Sequence, residues 1–418
     1  MTVPSTSQAP TSASIWKNPR NRFDLRTFCG AGLAVLIMRV VFGILAIPIT
    51  LIFPHTELEA RIGLSPSDAS IGEWLYRWLI SPWIRYDAWN YLRIVDHGYS
   101  LSEGTASFHP LYPILVWPFA LVFQNIPVAL LFVSSIATII ATMLLTRYVE
   151  RFYRADYAQP VGWLLLMNPL GFILLSPYTE STFLCFAIAA LWAIRLERWW
   201  LAGLLGAGAV LTRQQGVALA LPMAWAIWLA WRDRRTAWWQ AGSLALLPGA
   251  YLLFVVYRAI ALGDAISWSE SESLYAFLSS LLVSSSAEQV VVGQRIAWPW
   301  EPLIGEIQRF MLAESKYPFV IDTVIGWAAV LVLMRGWRLL RMQDLLYSIA
   351  IALLSLCYYN GDLSPYLAFP RHMLLAFPIF VILVSWAGSL QRQRLLIEIL
   401  FMVNIFLVGA FIRHGWVP

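Results

Sequence analysis

From about residue 30 onward, long apolar runs alternate with short polar segments. A helix needs about 20 apolar residues to cross the hydrocarbon core of a bilayer, within a range of roughly 17–25. On that measure the pattern predicts spans at 30–53, 127–146, 160–176, 180–194, 199–213, 216–231, 238–262, 319–334, 345–360, 372–388 and 395–412. Several are short, and the pairs meeting at Pro177 and near Gln215 read as tilted or broken helices. The apolar segment 111–123 carries Pro113 and Pro118 and does not fit as a further crossing. It reads instead as a re-entrant or interfacial helix. Residues 1–15 are rich in Ser, Thr and Pro and lack the charged and short apolar regions of a cleavable signal, so the first span is expected to stay in the mature protein. The chain thus divides into a disordered cytoplasmic segment, 1–29, and one transmembrane domain, 30–418.

Charge orients these spans. Basic residues collect at alternate loops: Lys17, Arg20, Arg22 and Arg26; Arg147, Arg151 and Arg154; Arg195 and Arg198; Arg232, Arg234 and Arg235; Arg335, Arg338 and Arg341; Arg392 and Arg394. With eleven spans all of these fall on one side, which the positive-inside rule makes cytoplasmic. Counting 111–123 as a crossing would put Arg147–Arg154 outside. The two long polar segments, about 54–109 and 263–318, then both lie outside. The second includes the polar run Ser267–Glu272, an expected helix near Ser273–Val283, and Trp298 and Trp300.

Composition agrees with this reading. The chain is 59% hydrophobic and only 13% charged, whereas a soluble protein carries about 45–50% apolar and roughly 25% charged residues. A soluble enzyme, a disordered chain and a fibrous protein are excluded. The net charge of +5 includes no long basic run, so no nucleic-acid surface is implied. Cys29, Cys185 and Cys357 stand far apart without a C-x-x-C pair and suggest neither a disulfide framework nor a zinc site.

The polar residues concentrate in the first outer loop, where Arg85-Tyr86-Asp87-Ala88-Trp89-Asn90-Tyr91 runs on to Asp96-His97-Gly98-Tyr99 and then Phe108-His109-Pro110-Leu111-Tyr112-Pro113. Ser81 and Pro82 resemble a helix start. Helical spacing then puts Trp89, Leu92 and Val95 on one face, and Gly98 ends the run. This predicts an amphipathic helix lying on the membrane with Asp87 near its N-terminus. Helix N-termini favour anions, which suits Asp87 to act as a base; the plainer alternative is a carboxylate that only compensates the dipole.

The stretch RYDAWNYLRIVDHGYS…FHPLYP closely resembles the first luminal loop of the PIG-V family, the glycosylphosphatidylinositol second-mannose transferases, and their bacterial relatives. Met167-Asn168-Pro169 with Tyr178-Thr179-Glu180-Ser181, then Thr212-Arg213-Gln214-Gln215-Gly216, then Phe369-Pro370-Arg371-His372 resemble later motifs of that family, in the same order. Tyr86 departs from the usual Trp, and His109 stands where a second aromatic is usual. The resemblance implies an all-α polytopic membrane protein of the GT-C class. Its activity would be the inverting transfer of a hexose, usually mannose, from a polyprenyl-phosphate-linked donor to a glycolipid or glycan hydroxyl. Asp87 would be the general base.

Around that base the other candidates take expected roles. Arg371 and Arg213 suit a leaving phosphate through their planar, permanently charged forks; for Arg213 the alternative is an interfacial anchor. His372 either shares the phosphate or caps its loop. Asp96, His97, His109, Glu180 and Asn168 are candidates for positioning the acceptor or the sugar. Against this, Asp96 and His97 also fit a solvated helix end, and Glu180 a dipole-compensating acid. No cofactor is required by the sequence, and a divalent metal is compatible with it, although adjacent Asp and His side chains diverge on a helix. Arg39 is costly at membrane depth unless paired, Arg258 reads as an interfacial anchor, and Trp199, Trp200, Trp238 and Trp239 as belt residues. No N-x-S/T sequon occurs, which agrees with a bacterial cell membrane; the endoplasmic reticulum membrane is the alternative. A different class, a transporter or flippase of a lipid-linked sugar, would carry internal repeats and midplane charges. No convincing repeat is found.

Overall fold

The structure, a computed structural model, describes residues 25–64, 67, 69–263, 294–311, 317–361 and 365–413. The expected disorder of residues 1–24, the run Ser267–Glu272 and the helix near Ser273–Val283 lie outside these. The described chain is nearly all helix, with one small antiparallel pair, β1 (Gln294–Ile296) on β2 (Tyr358–Asn360).

Four helical stretches among the described residues are long and apolar enough to cross a membrane: Thr27–Ile52, Ile126–Phe152, Trp238–Leu262 and Leu390–Ile412. They mark a membrane protein. The first belongs to helix α1 (Leu25–Ile52), which begins before position 30. Side chains such as Leu33, Leu36 and Ile44 stand exposed along α1, as lipid-facing residues must. Three loop helices follow: α2 (Glu57–Leu64), α3 (Ile71–Leu79) and α4 (Asp87–His97). Helix α5 (Leu111–Phe123) is 13 residues long, about 20 Å at 1.5 Å per residue, short of the roughly 30 Å core. It turns back at Gln124, whose φ is +51°, into α6 (Ile126–Phe152), where the Asn125 side chain accepts the Val128 N–H. The apolar window of α6 is 67% buried, against 33%, 22% and 28% for the other three long stretches, so α6 sits at the centre of the packing.

Several of the expected spans that follow are interrupted, whereas 180–194, 319–334 and 395–412 each fall in one unbroken helix, as does 199–213 to within one residue. Segment 160–176 becomes α7 (Ala155–Met167) and a 3-10 turn, Gly171–Leu174. After α8 (Glu180–Arg195) and α9 (Trp199–Thr212), segment 216–231 becomes the 3-10 turn Gln214–Leu219 and α10 (Ala220–Arg232). The stretch Trp238–Leu262 starts as 3-10 to Ala245 and continues as α11 (Leu246–Leu262). Next come α12 (Glu301–Met311), α13 (Tyr317–Gly336) and α14 (Met342–Leu356). Segment 372–388 divides into α15 (Phe369–Leu374) and α16 (Ile379–Ala387), before α17 (Leu390–Ile412) closes the chain.

A backbone that leaves the helix away from water needs other partners for its polar groups. Asn168 supplies them at the α7 break. Its side chain accepts the Leu170 N–H at 2.9 Å and donates to the Leu165 carbonyl, while its own carbonyl accepts from Asn404 Nδ2 at 2.6 Å. The charged anchor of the bundle is Asp344, fully buried, which accepts from Tyr148 at 2.5 Å, from Arg195 at 2.6 Å and from Tyr153. Of the four expected belt tryptophans, Trp199 is instead buried and donates its Nε1–H to Thr236. Arg258, expected as a surface anchor, is also buried, against Phe254.

Candidate active site

The loop before α4 is pinned at Arg85. Its Nη1 donates to the carbonyls of Ser81 at 2.8 Å and Ile84 at 3.2 Å, and its own carbonyl accepts the Tyr178 hydroxyl. The next residue, Tyr86, has φ +49° and ψ −119°, a region a non-glycine residue occupies only when its surroundings force it. This kink starts α4 at Asp87 rather than at Ser81, where a short 3-10 turn, Ser81–Trp83, forms instead. Ala88, Tyr91 and Ile94 of α4 are buried against the protein, and the adjacent face carries Trp89, Leu92 and Val95. Trp89 is exposed, and Gly98 ends the helix with φ +87°.

The Asp87 carboxylate meets Arg371. Arg371 Nη1 lies 2.6 Å from Asp87 Oδ2, and Asp87 is 32% exposed. Arg371 sits in α15, which starts after Ala368 (φ +63°) with Pro370 in its first turn. Its Nε donates to Glu180 Oε1, and its guanidinium lies 4.4 Å over the ring of Tyr178. Glu180, at the start of α8, is 0% exposed. The same Oε1 accepts from Arg213 Nη1 at 2.6 Å, and that nitrogen also donates to Thr179 Oγ1 at 2.9 Å. Arg213 is the residue on which α9 stops, in extended backbone. Four charged groups from four separate stretches thus form one chain, Asp87–Arg371–Glu180–Arg213, with no surplus charge. Oriented forks of this kind suit a phosphoryl group, and a half-exposed carboxylate beside them suits proton transfer.

His372 lies within the fields of Arg371 and Arg213 and packs edge-on against Tyr358 at 5.7 Å. His109 packs against Phe254 at 5.3 Å and lies within the field of Arg213. Burial pushes its imidazole down to about 3, so it is neutral at ordinary pH. Asp96 and His97 are not part of the cluster. They lie at the far end of α4, about 13 Å from Asp87 by helical rise, with side chains 61% and 47% exposed. His97 is held by Glu103 at 2.9 Å, which raises its pKa. Asn168 is also outside it, because both ends of its amide serve backbone at the α7 break. Trp298 and Trp300 stack on each other, exposed. Among the described residues no three His, Cys, Asp or Glu side chains gather as metal ligands.

Tyr91, Tyr178 and Thr179 also belong to the site, although the motifs that contain them assign them no role. Tyr91 is one helical turn after Asp87 and bonds Thr179; its i+4 spacing from Asp87 was the available signal. Between α4, α5 and α11 lies an apolar cavity of about 640 Å³, lined by Val95 and Tyr99, by Trp117 of α5, by Leu211 two residues before Arg213, and by Phe254 and Tyr257 of α11. Compared with protein families, curated proteins and solved structures, the chain matches none.

Proposed function

We propose that the protein is an integral-membrane, inverting glycosyltransferase of GT-C type. It moves a hexose, with mannose the first candidate, from a polyprenyl-phosphate donor to a hydroxyl of an extracytoplasmic glycolipid or glycan. The observation that carries this reading is the 2.6 Å contact between Asp87 and Arg371, at the end of a buried chain through Glu180 to Arg213. The resemblance of the four motifs supports it, since these residues come from the loops that carry them.

In this reading the acceptor hydroxyl gives its proton to Asp87 as its oxygen attacks the anomeric carbon. The bond from that carbon to the phosphate oxygen breaks, and the phosphate keeps the electron pair. Arg371 and Arg213 balance the charge that develops there. Glu180 fixes both forks beforehand, so no reorganisation is needed at the moment of reaction. The apolar cavity that Leu211 lines takes the first part of the donor's lipid chain. The chain crosses a bacterial cell membrane eleven times with its basic loops inside, which puts the cluster on the outer side, where a lipid-linked donor is presented.

The test is the purified protein in liposomes with labelled polyprenyl-phosphate-mannose and envelope lipid extract. The expected product is a new glycosidic bond of inverted anomeric configuration. Labelled lipid that crosses the vesicle without forming a bond would overturn the proposal in favour of a transporter.

A further inference from the structure

A second charged cluster lies under the loop helices, next to the first. Arg77 on α3 and Arg85 before α4 both face a single carboxylate, Glu59 on α2. All three are buried, with exposures of 0%, 1% and 0%. Glu59 is already engaged: Oε2 accepts the His55 N–H at 2.6 Å and the Thr56 N–H at 3.4 Å, and Oε1 accepts the Ser81 hydroxyl. Its contact with Arg85 Nη2 is a 3.5 Å ion pair, beyond good hydrogen-bond length. Arg77 spends only Nη2, on the Thr50 carbonyl at 2.7 Å, and Arg85 only Nη1, on backbone carbonyls.

Among the described residues, Arg77 Nε and Nη1 and Arg85 Nε therefore have no hydrogen-bond partner, and Arg85 Nη2 has only its long contact with Glu59. Two guanidiniums against one occupied carboxylate leave a buried positive charge with unspent donors, an arrangement that costs free energy unless an anion completes it. Two planar forks match an anion with several oxygens. Thr50 lies two residues from the C-terminal end of α1, a helix long and apolar enough to cross a membrane, so the pair sits where such a span would end.

We propose that Arg77 and Arg85 form a phosphate-binding site at the C-terminal end of α1, filled by the headgroup of an anionic phospholipid. This does not rest on the transferase reading. The site ties a membrane lipid to the segment Arg85–Tyr86–Asp87, and so to the placement of α4.

The test uses the full chain, purified in mild detergent and depleted of lipid, with three probes: phosphatidylglycerol, diacylglycerol and inorganic phosphate. Phosphatidylglycerol is expected to raise the thermal midpoint by several degrees and to remain as a one-to-one adduct in native mass spectrometry, while diacylglycerol does neither. Arg77→Gln should lose the adduct by at least about tenfold, the effect of removing one charge-assisted contact. Its lipid-free midpoint should equal or exceed that of the wild type, because the surplus charge is gone. Wild-type protein that responds to neither phosphatidylglycerol nor phosphate overturns the site, whether or not the variant folds. An adduct that survives Arg77→Gln overturns it as well, and a full response to inorganic phosphate alone overturns the assignment to a lipid.

Discussion

Glu180 is the one carboxylate that two guanidiniums share, so replacing it separates architecture from chemistry. Glu180→Gln keeps the side chain's shape and removes its charge. Arg371 would retain the Asp87 carboxylate, whereas Arg213 would have no carboxylate, only the neutral amide at position 180, the Thr179 hydroxyl and the Gln215 amide, the last at 3.4 Å. Breaking a buried ion pair from one side costs about 3–5 kcal/mol. Asp87→Asn acts on the other end of the chain. Asp87 is 32% exposed and Arg371 keeps Glu180, so that change should cost about 1 kcal/mol or less. The two variants should therefore differ by about 2 kcal/mol or more. Thermal unfolding in detergent, followed by tryptophan fluorescence, measures the difference. Glu180→Gln combined with Arg213→Gln restores the charge balance and should recover about 1–3 kcal/mol relative to Glu180→Gln alone. Equal midpoints for Glu180→Gln and Asp87→Asn, or a double variant no better than the single one, would refute the shared-carboxylate argument.

Three further outcomes are expected. Asp344→Asn leaves Arg195 without its buried partner and weakens the acceptor for Tyr148 and Tyr153, so unfolding should be easier by about 3–5 kcal/mol, read in the same thermal assay. Gly216→Ala would put a methyl carbon 2.3–2.6 Å from the backbone of Val210 and Ala209, which cannot give way, whereas the nearest atoms to a Gly206→Ala methyl are in the Leu247 side chain at 3.0–3.3 Å. The first should cost about 3 kcal/mol and the second about 1, again by thermal midpoint. The raised pKa of His97 comes from its bond to Glu103. That contact favours folding below the ordinary His value of 6.5 and fades as pH rises through the raised one. A ¹³C-histidine NMR titration should show its midpoint falling toward 6.5 in Glu103→Gln, and unchanged midpoints would contradict the contact.

The apolar pattern made helix and membrane legible, because burial of apolar side chains in lipid needs no long-range partner. The breaks were harder to read. The turn at Gly171–Leu174 depends on Asn404, far along the chain, whose amide reaches the Asn168 carbonyl. Arg39 shows the same limit. Its partners are no carboxylate but the Leu175 carbonyl at 2.5 Å and Ser135 Oγ at 2.8 Å, with the Trp83 ring beneath it. At the site, Asp87, Glu180, Arg213 and Arg371 were each visible as charged residues beside turns, but local spacing did not reveal that one oxygen of Glu180 holds two arginines. The start of α4 differs from the expected Ser81 because Tyr86's positive φ resets where the helix begins. Asp96 stood beside Asp87 as a second acid of the same loop in sequence and differs in its partner and exposure, His97 at the open end of α4 rather than the buried Arg371.

The most direct measurement is the transfer rate of Asp87→Asn, at equal amounts of folded protein, with labelled polyprenyl-phosphate-mannose as donor. Loss of a general base predicts a fall of about 10²–10⁴-fold with donor binding retained. Turnover equal to that of the wild type would contradict the role given to Asp87.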